Sequence, residues 1–269
     1  MWTAPAASDH RPPFEEHPCR TLPSPPSASV SPPGDVLLVS GAGSGIGAAI
    51  ALRAAELELA VAAWDLDGSA IAATVDRITR TGGKALAVTA DVSAPADVER
   101  GFAESRRLGE IRYLVNNAGP SSAGDLDFDD GVRIAVGSVR SMTETWLSAG
   151  VPEGAALVNI ASVAGNLMGT DSPWYCAAKA GIAGYTRHLA TYRNTEVRSN
   201  AVAPGMTDTP RLQGFARSEV GQRSLEKNPM KRMATADDIA WSALFLLCPL
   251  ASYINGVLLP VDGGWAVTQ

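Results

Sequence analysis

Cysteine is scarce in this chain of 269 residues, which has only Cys19, Cys176 and Cys248. Cysteines that are few, widely spaced and odd in number favour reduced thiols over a disulfide framework, so we expect a cytoplasmic protein. Histidine is equally rare, with three residues. No group of His, Cys and acidic side chains has the spacing of metal ligands, and we therefore expect no metal site.

The sequence also lacks long apolar runs and an excess of positive charge. No apolar run reaches the roughly 18 residues that a membrane-spanning helix needs. The formal net charge is −6, which disfavours nonspecific binding to nucleic acid or to acidic membrane surfaces. We expect a soluble protein with neither a membrane nor a nucleic acid as partner.

The first 33 residues differ in composition from the rest of the chain. They hold nine of the eighteen prolines, interleaved with serine and alanine, which is typical of a disordered tail. They lack the basic segment followed by an apolar segment that is typical of a secretion signal. We predict a tail over residues 1–33, either an idle extension or a partner-binding segment, and one folded domain over residues 34–269.

From residue 35 onward, short apolar runs alternate with helical patterns, which predicts an α/β fold built on a parallel sheet. The predicted strands cover residues 35–40, 59–64, 84–90, 111–115, 155–160, 198–202 and 256–261. The predicted helices cover residues 48–57, 70–81, 94–108, 128–148, 173–192 and 236–247, with Ser93 as the N-cap of the third.

A glycine-rich turn, Gly41-Ala-Gly43-Ser-Gly45-Ile-Gly47, follows the first predicted strand and precedes a helix. Glycine at these positions lets the chain turn tightly and lets a phosphate approach the backbone amides. The amides at the helix N-terminus, with the positive end of the helix dipole, favour a pyrophosphate. A lone glycine-rich turn is weak evidence, so nucleotide binding needs further support.

That support comes from Asp65, which ends the second predicted strand about 20 residues after the glycines. A carboxylate there accepts hydrogen bonds from a ribose 2′-hydroxyl and repels a 2′-phosphate, and Ser44 supplies no compensating positive charge. NAD(H) is therefore favoured over NADP(H). The alternative is that Asp65 is a solvated loop acid, as we expect for Asp67.

Three residues near the fifth predicted strand have the chemistry of proton transfer to a substrate oxygen. Tyr175 and Lys179 are four residues apart and share one face of a predicted helix. A nearby ammonium favours the tyrosinate, so we expect Lys179 to lower the pKa of Tyr175. Ser162, at the end of the strand, is placed to stabilise charge on the same oxygen. Each residue alone is unremarkable, but together with a dinucleotide motif they predict a catalytic set.

With these motifs in order, the sequence resembles the short-chain dehydrogenase/reductase family over about residues 35–264. The resemblance rests on Ser40 to Gly47, Asp91-Val92, Asn116 to Gly119, Ser162, Tyr175 to Lys179, Asn200 to Gly205 and Val261 to Gly264. It implies a single Rossmann-type domain with a doubly wound parallel sheet of about seven strands. It also implies a homotetramer or a dimer.

The resemblance further implies roles for the matching residues. Tyr175 would be the general acid/base, Lys179 would lower its pKa and bind the nicotinamide ribose, and Ser162 would orient the substrate oxygen. The implied cofactor-binding residues are Gly41, Ser44, Gly45, Ile46, Gly47, Asp65, Asp91, Val92, Asn117, Ala118, Gly119, Tyr175, Lys179, Pro204, Gly205, Met206 and Thr209.

One departure from the family lies in the long helix before the fifth strand. Many relatives have an asparagine there that holds a water for passing protons from the lysine, and we place Gly137 at that position. Either another route carries the proton or catalysis is weakened, and the first is favoured. Arg140, one turn later, is also unusual, and its charge must reach solvent or an acidic partner.

The residues expected around the substrate are largely apolar and predict a medium-sized, poorly charged alcohol or ketone. They are Leu167, Met168, Trp174, Met206, Leu212 and Phe215. Arg211 either recognises an acidic group or is solvated, and the sequence favours the second.

The sequence as a whole predicts an NAD(H)-dependent alcohol dehydrogenase or ketoreductase with a small-molecule substrate. One alternative is a protein that binds the dinucleotide but catalyses a reaction without net oxidation or reduction, such as isomerisation or dehydration. The other alternative is a binding or regulatory protein with weakened catalysis. The absence of the asparagine is consistent with this alternative, whereas the intact Ser162, Tyr175 and Lys179 disfavour it.

Overall fold

The computed structural model describes residues 34–122, 124–212, 214 and 217–268. The tail predicted for residues 1–33, together with Cys19 and Phe215, lies outside the described residues.

Seven strands form one parallel sheet in the order β3-β2-β1-β4-β5-β6-β7. They are β1 (Val36–Ser40), β2 (Ala60–Asp65), β3 (Ala85–Thr89), β4 (Ile111–Asn116), β5 (Ala156–Ile160), β6 (Arg198–Pro204) and β7 (Leu258–Val261). Every residue of β1 and β5 is buried, because helices cover both faces of the sheet. These strands are therefore continuous apolar runs, as buried parallel strands require.

Six of the described α-helices lie in two layers, one on each face of the sheet. The described α-helices are α1 (Gly45–Glu56), α2 (Gly68–Arg80), α3 (Pro95–Ser105), α4 (Phe128–Ser148), α5 (Pro173–Tyr192), α6 (Glu219–Lys227) and α7 (Ala236–Leu247). Buried residues of α1, α2 and α7 pack on one face, and those of α3, α4 and α5 pack on the other. The predicted doubly wound α/β fold is confirmed.

Two polar residues near helix N-termini behave differently from the sequence prediction. Helix α3 begins after Ala94 as its N-cap, not Ser93, because the amide and hydroxyl of Ser93 both donate to Oδ1 of Asp91. Asp67 is exposed but is not merely a solvated acid, since its carboxylate caps α2 by accepting the amides of Ser69 and Ala70. Local hydrogen bonds of short polar side chains decide both cases.

The strand order reverses direction between β1 and β4, which are neighbours in the sheet. In such sheets a crevice opens beyond the carboxyl ends of the strands at this switch point, and ligands bind there. The glycine turn after β1 and the segment from Asn117 to Gly119 after β4 therefore flank one crevice. In the part of the chain that the structure describes, no helix is long and apolar enough to cross a bilayer.

Candidate active site

The glycine turn is packed so closely that side chains do not fit at several positions. A Cβ atom at Gly47 would lie 2.0 Å from the carbonyl oxygen of Gly41, and Gly41 and Gly45 have φ angles of +69° and +53°. Ser44, the N-cap of α1, makes no side-chain capping bond, so the first amides of α1 remain donors for an anion. This cradle fits the pyrophosphate of a dinucleotide.

Hydrogen bonds from β4 hold the glycine turn in place. The side-chain amide of Asn117 donates to the carbonyls of Ser40 and Gly41 at 3.0 and 3.1 Å. The amides of Asn117 and Ala118 donate to the Ser40 hydroxyl, which donates to the Val115 carbonyl. The Asn117 side chain thus shapes the turn, while Ala118 and Gly119 line the cavity beyond β4.

Acidic side chains lie at the carboxyl end of β2 and just after β3, on the same edge of the sheet. Asp65 accepts the amide of Gly43 at 2.8 Å and the amide of Asp67 at 3.0 Å, which fixes its carboxylate beside the glycine turn. Asp91, followed by the half-buried Val92, is anchored by Ser93. The crevice therefore has acidic groups at the end where the adenosine of a dinucleotide is expected.

The structure brings Ser162, Tyr175 and Lys179 together. Tyr175 and Lys179 line a narrow cavity of about 10 Å³, which they share with Ala118 and Gly119. The Lys179 ammonium lies 5.5 Å from the centroid of the Tyr175 ring and donates to the Ile160 carbonyl at 2.8 Å. Ser162, two residues after Ile160, hydrogen-bonds with Tyr175. The carboxyl end of β5 and the start of α5 thus place three candidate catalytic groups at one point.

Burial dominates the pKa values of the two ionisable groups. It raises the pKa of the Tyr175 phenol, while the hydrogen bond from Ser162 and the charge of Arg211 act in the opposite direction. Burial, followed by the charge of Arg211, lowers the pKa of Lys179 to about 8. Desolvation of the tyrosinate outweighs the hydrogen bond from Ser162 and the charge of Arg211, so the pKa of Tyr175 lies above its ordinary value. The effect of Lys179 on the phenol stays a prediction.

Sequence reasoning missed a clamp between the Ser162 segment and α5. The side-chain amide of Asn166 donates to the carbonyls of Ser162 and Lys179 at 2.9 and 3.1 Å. At the neighbouring Gly165, a Cβ atom would lie 2.1 Å from the Cys176 carbonyl oxygen. The segment after β5 is therefore pressed against α5, which fixes the distance between the candidate catalytic residues.

On helix α4, the residue that faces the site is Ala135 and not Gly137. Ala135 is buried and lines the cavity beside Lys179. Gly137 is exposed, with no atom within 4 Å of a Cβ built on it. The position that we predicted for the missing asparagine was therefore wrong by two residues, and the residue at the site has only a methyl side chain. Arg140 is exposed, as its charge requires.

The cavity beside Ala135 also contains an unpaired buried acceptor. Asn116 is 3% exposed and lines the cavity. Its amide nitrogen donates to Thr143 and Asn159, but Oδ1 has no hydrogen-bond partner among the described residues. A buried acceptor without a partner is costly, and a cavity of this size has room for about one water molecule.

The segment after β6 closes the other side of the crevice. The amide of Gly205 donates to the Val261 carbonyl, which ties the segment after Pro204 to β7. Thr209 reaches the glycine turn, since a Cβ at Gly45 would lie 3.1 Å from its methyl group. Met206 and Trp174 are buried, whereas Leu167 is 44% exposed. The predicted apolar lining is therefore present in part among the described residues.

Within the described residues, no group of three or more His, Cys, Asp or Glu side chains is arranged to hold a metal ion. Cys176 and Cys248 are free thiols.

Comparison with known proteins places the chain among dehydrogenases and reductases. A family model described as enoyl-(acyl carrier protein) reductase matches residues 41–266. The 7alpha-hydroxysteroid dehydrogenase of Escherichia coli K12 is 31% identical over 244 residues, covering 86% of this chain and 94% of the relative. The 2-(S)-hydroxypropyl-CoM dehydrogenase 3 of Xanthobacter autotrophicus is 34% identical, covering 86% and 96%.

A solved structure agrees in fold as well as in sequence. A short-chain dehydrogenase from Burkholderia cenocepacia, crystallised with NADP, is 30% identical and has a TM-score of 0.79, covering 87% of this chain and 98% of that one. The sheet order, the glycine turn and these matches together show that the chain belongs to the short-chain dehydrogenase/reductase family.

Proposed function

We propose that the chain is an NAD(H)-dependent oxidoreductase that interconverts a secondary alcohol and a ketone on a medium-sized, largely apolar small molecule. This activity belongs to the alcohol dehydrogenases of class EC 1.1.1. The observation that carries the proposal is the shared cavity of Tyr175 and Lys179 with Ala118 and Gly119 beside the glycine turn. The candidate proton-transfer group thus lies next to the crevice at the carboxyl ends of the strands, where sheets of this type bind dinucleotides.

The residues around the crevice fit a dinucleotide without a 2′-phosphate. The first amides of α1 would hold the pyrophosphate, and Asp65 would accept hydrogen bonds from the adenosine ribose. Asp91 and Val92 would contact the adenine, and Pro204, Gly205, Met206 and Thr209 would surround the nicotinamide. The bound nicotinamide supplies the hydride acceptor or donor.

Tyr175 would exchange a proton with the substrate oxygen, and Ser162 would hydrogen-bond that oxygen. Because burial raises the pKa of Tyr175, the phenol keeps its proton at neutral pH, which suits it to donate to a ketone. Lys179 would bind the nicotinamide ribose. We propose that a water in the cavity between Asn116 and Lys179 replaces the missing asparagine in proton exchange with solvent.

The test follows the absorbance of NADH across a panel of alcohols and ketones. Wild-type protein should reduce at least one ketone, and Tyr175→Phe should abolish turnover while the variant still binds NADH. Tight NADH binding without net oxidation or reduction of any substrate would favour isomerisation or dehydration. A protein that neither binds NAD(H) nor turns over would favour a binding or regulatory role. The homotetramer or dimer stays a prediction.

A further inference from the structure

Arg211 reaches from the segment after β6 across the crevice to the end of β4. Its Nη2 donates to the carbonyl oxygen of Gly119 at 3.0 Å, although 92 residues separate the two in sequence. Gly119 lines the same cavity as Tyr175 and Lys179. The guanidinium therefore lies at the mouth of the candidate active site and is not simply a solvated surface charge.

The electrostatic effect of Arg211 on both ionisable groups agrees with this position. Its charge lowers the pKa of Tyr175 and also that of Lys179. A neighbouring cation stabilises a tyrosinate and opposes a second ammonium, so both directions indicate a positive charge close to the site. With Lys179, Arg211 gives the substrate end of the crevice a positive potential.

Arg211 has donors left over for a ligand. Among the described residues it forms no ion pair with a carboxylate, whereas Arg53, Arg193 and Arg232 each do. A guanidinium has five N–H groups, and the bond to Gly119 uses one of them. Arg211 is also exposed, so the remaining donors are accessible. A planar fork of donors with an uncompensated charge matches the oxygens of a carboxylate or sulfonate.

We propose that Arg211 binds an anionic group, a carboxylate or a sulfonate, carried by the substrate at the end remote from the reacting carbon. The inference rests on the proposed function, because it assigns the substrate class of that same site. The buried Trp174 lines the same cavity and would provide an apolar contact for the carbon skeleton, and the acid group would extend toward Arg211. The substrate is then an amphipathic keto or hydroxy acid rather than a neutral molecule.

The test compares three ketones that share one skeleton, namely 4-acetylbenzoate, 4-acetylbenzenesulfonate and methyl 4-acetylbenzoate. Wild-type kcat/KM with NADH should be about ten to a hundred times higher for at least one anion than for the ester. Arg211→Gln should remove this preference, so that the kcat/KM values of that variant for the anions and for the ester agree within about twofold. The stronger of the two anions in wild type identifies carboxylate or sulfonate as the natural group.

Two further variants keep the inference separate from effects on folding and on overall charge. Arg211→Lys keeps the charge but not the planar fork, and should retain only part of the preference. Arg140→Gln removes the same charge from an exposed position on α4 and should leave the preference unchanged. Equal loss of preference in Arg140→Gln and Arg211→Gln would overturn the role of Arg211.

Binding of the anions in the presence of NADH, measured by calorimetry, distinguishes failure of this inference from failure of the proposed function. If 4-acetylbenzoate bound in an Arg211-dependent way but no ketone were turned over, the anion site would be supported and the proposed oxidoreductase activity would be contradicted. If wild-type protein turned over the acid and the ester with the same kcat/KM, the oxidoreductase activity would be supported and the anion site would be contradicted. Absence of both binding and turnover would overturn both.

Discussion

The backbone amide of Gly43 donates a hydrogen bond of 2.8 Å to Oδ2 of Asp65, which fixes the carboxylate against the glycine turn. A second amide, from Asp67, holds Oδ1. The carboxylate is thus oriented before any ligand binds, at the place where an adenosine ribose is expected. A negative charge fixed in this way discriminates against a phosphate on that ribose.

We therefore expect Asp65→Ser to shift cofactor preference toward NADP(H). Removing the repulsion should raise the ratio of kcat/KM for NADPH to that for NADH by about 10-fold to 100-fold, which corresponds to about 1–3 kcal/mol. Steady-state kinetics with both cofactors and one ketone provide the measurement. A wild-type protein that uses NADPH as readily as NADH would contradict the role of Asp65.

Asp67→Ser is the matched control for the Asp65→Ser substitution. Asp67 lies two residues away and caps α2, and serine is also a good N-cap residue. The cofactor ratio should therefore stay within about twofold of wild type, because the charge removed is not the one fixed by Gly43.

Helix α4 offers a pair of substitutions two residues apart with opposite expected effects. Gly137→Ala should stabilise the protein by up to about 1 kcal/mol without changing kcat, since the added methyl group meets nothing and alanine favours a helix. Ala135→Leu should lower kcat by about tenfold or more, because its side chain would fill the cavity beside Lys179. Kinetics and thermal unfolding on both variants test this.

The reverse result has a clear meaning. Loss of activity in Gly137→Ala with full activity in Ala135→Leu would show that Gly137, and not Ala135, faces the reacting groups. NADH affinity should be unchanged in Gly137→Ala, which controls for a general effect on the crevice.

Asn166 should act as a positioning residue for Ser162. Asn166→Leu has a similar size but cannot donate to the carbonyls of Ser162 and Lys179, so kcat should fall about 10-fold to 100-fold with little change in NADH affinity. Asn166→Asp should be at least as impaired, because its carboxylate would face the same two carbonyl oxygens. If Asn166→Asp lowered kcat only slightly, the side chain of Asn166 would only fill space.

The sequence predicted the fold well because buried parallel strands and glycine turns leave direct patterns in the residues. The position of Asp65 at the end of β2 was predictable for the same reason. Ala135 was not, since alanine and glycine carry no chemical signature, and an error of two residues rotates the position about 200° around the helix axis. The effect of burial on Tyr175 was also missed, because desolvation depends on the packing of distant segments.

Sequence reasoning missed Asn166 entirely, and it favoured a solvated Arg211 over one at the mouth of the crevice, for a different reason. Both act through bonds to backbone carbonyls, of Ser162 and Lys179 in one case and of Gly119 in the other. Any residue type provides a carbonyl, so no pattern of side chains marks such partners. Only the path of the chain after β5 and β6 reveals them.

The lowered pKa of Lys179 makes the stability of the protein depend on pH in a defined window. The folded chain loses this proton near pH 8, whereas the unfolded chain keeps it up to the ordinary value of 10.5. Between these values the unfolded state binds more protons, so the free energy of unfolding rises as the pH increases. Below pH 8 the full cost of the buried ammonium is present, and above 10.5 it is absent.

Lys179→Met removes this titration and retains an unbranched apolar chain of similar length. The free energy of unfolding of wild type relative to Lys179→Met should therefore increase with pH from about 8 to 10.5, by up to about 3 kcal/mol. Urea unfolding of both proteins at fixed protein concentration across this range measures the difference, and other titrating groups cancel because they are common to both. A difference that does not change with pH, or that falls, would show that the Lys179 ammonium is solvated rather than buried beside Tyr175.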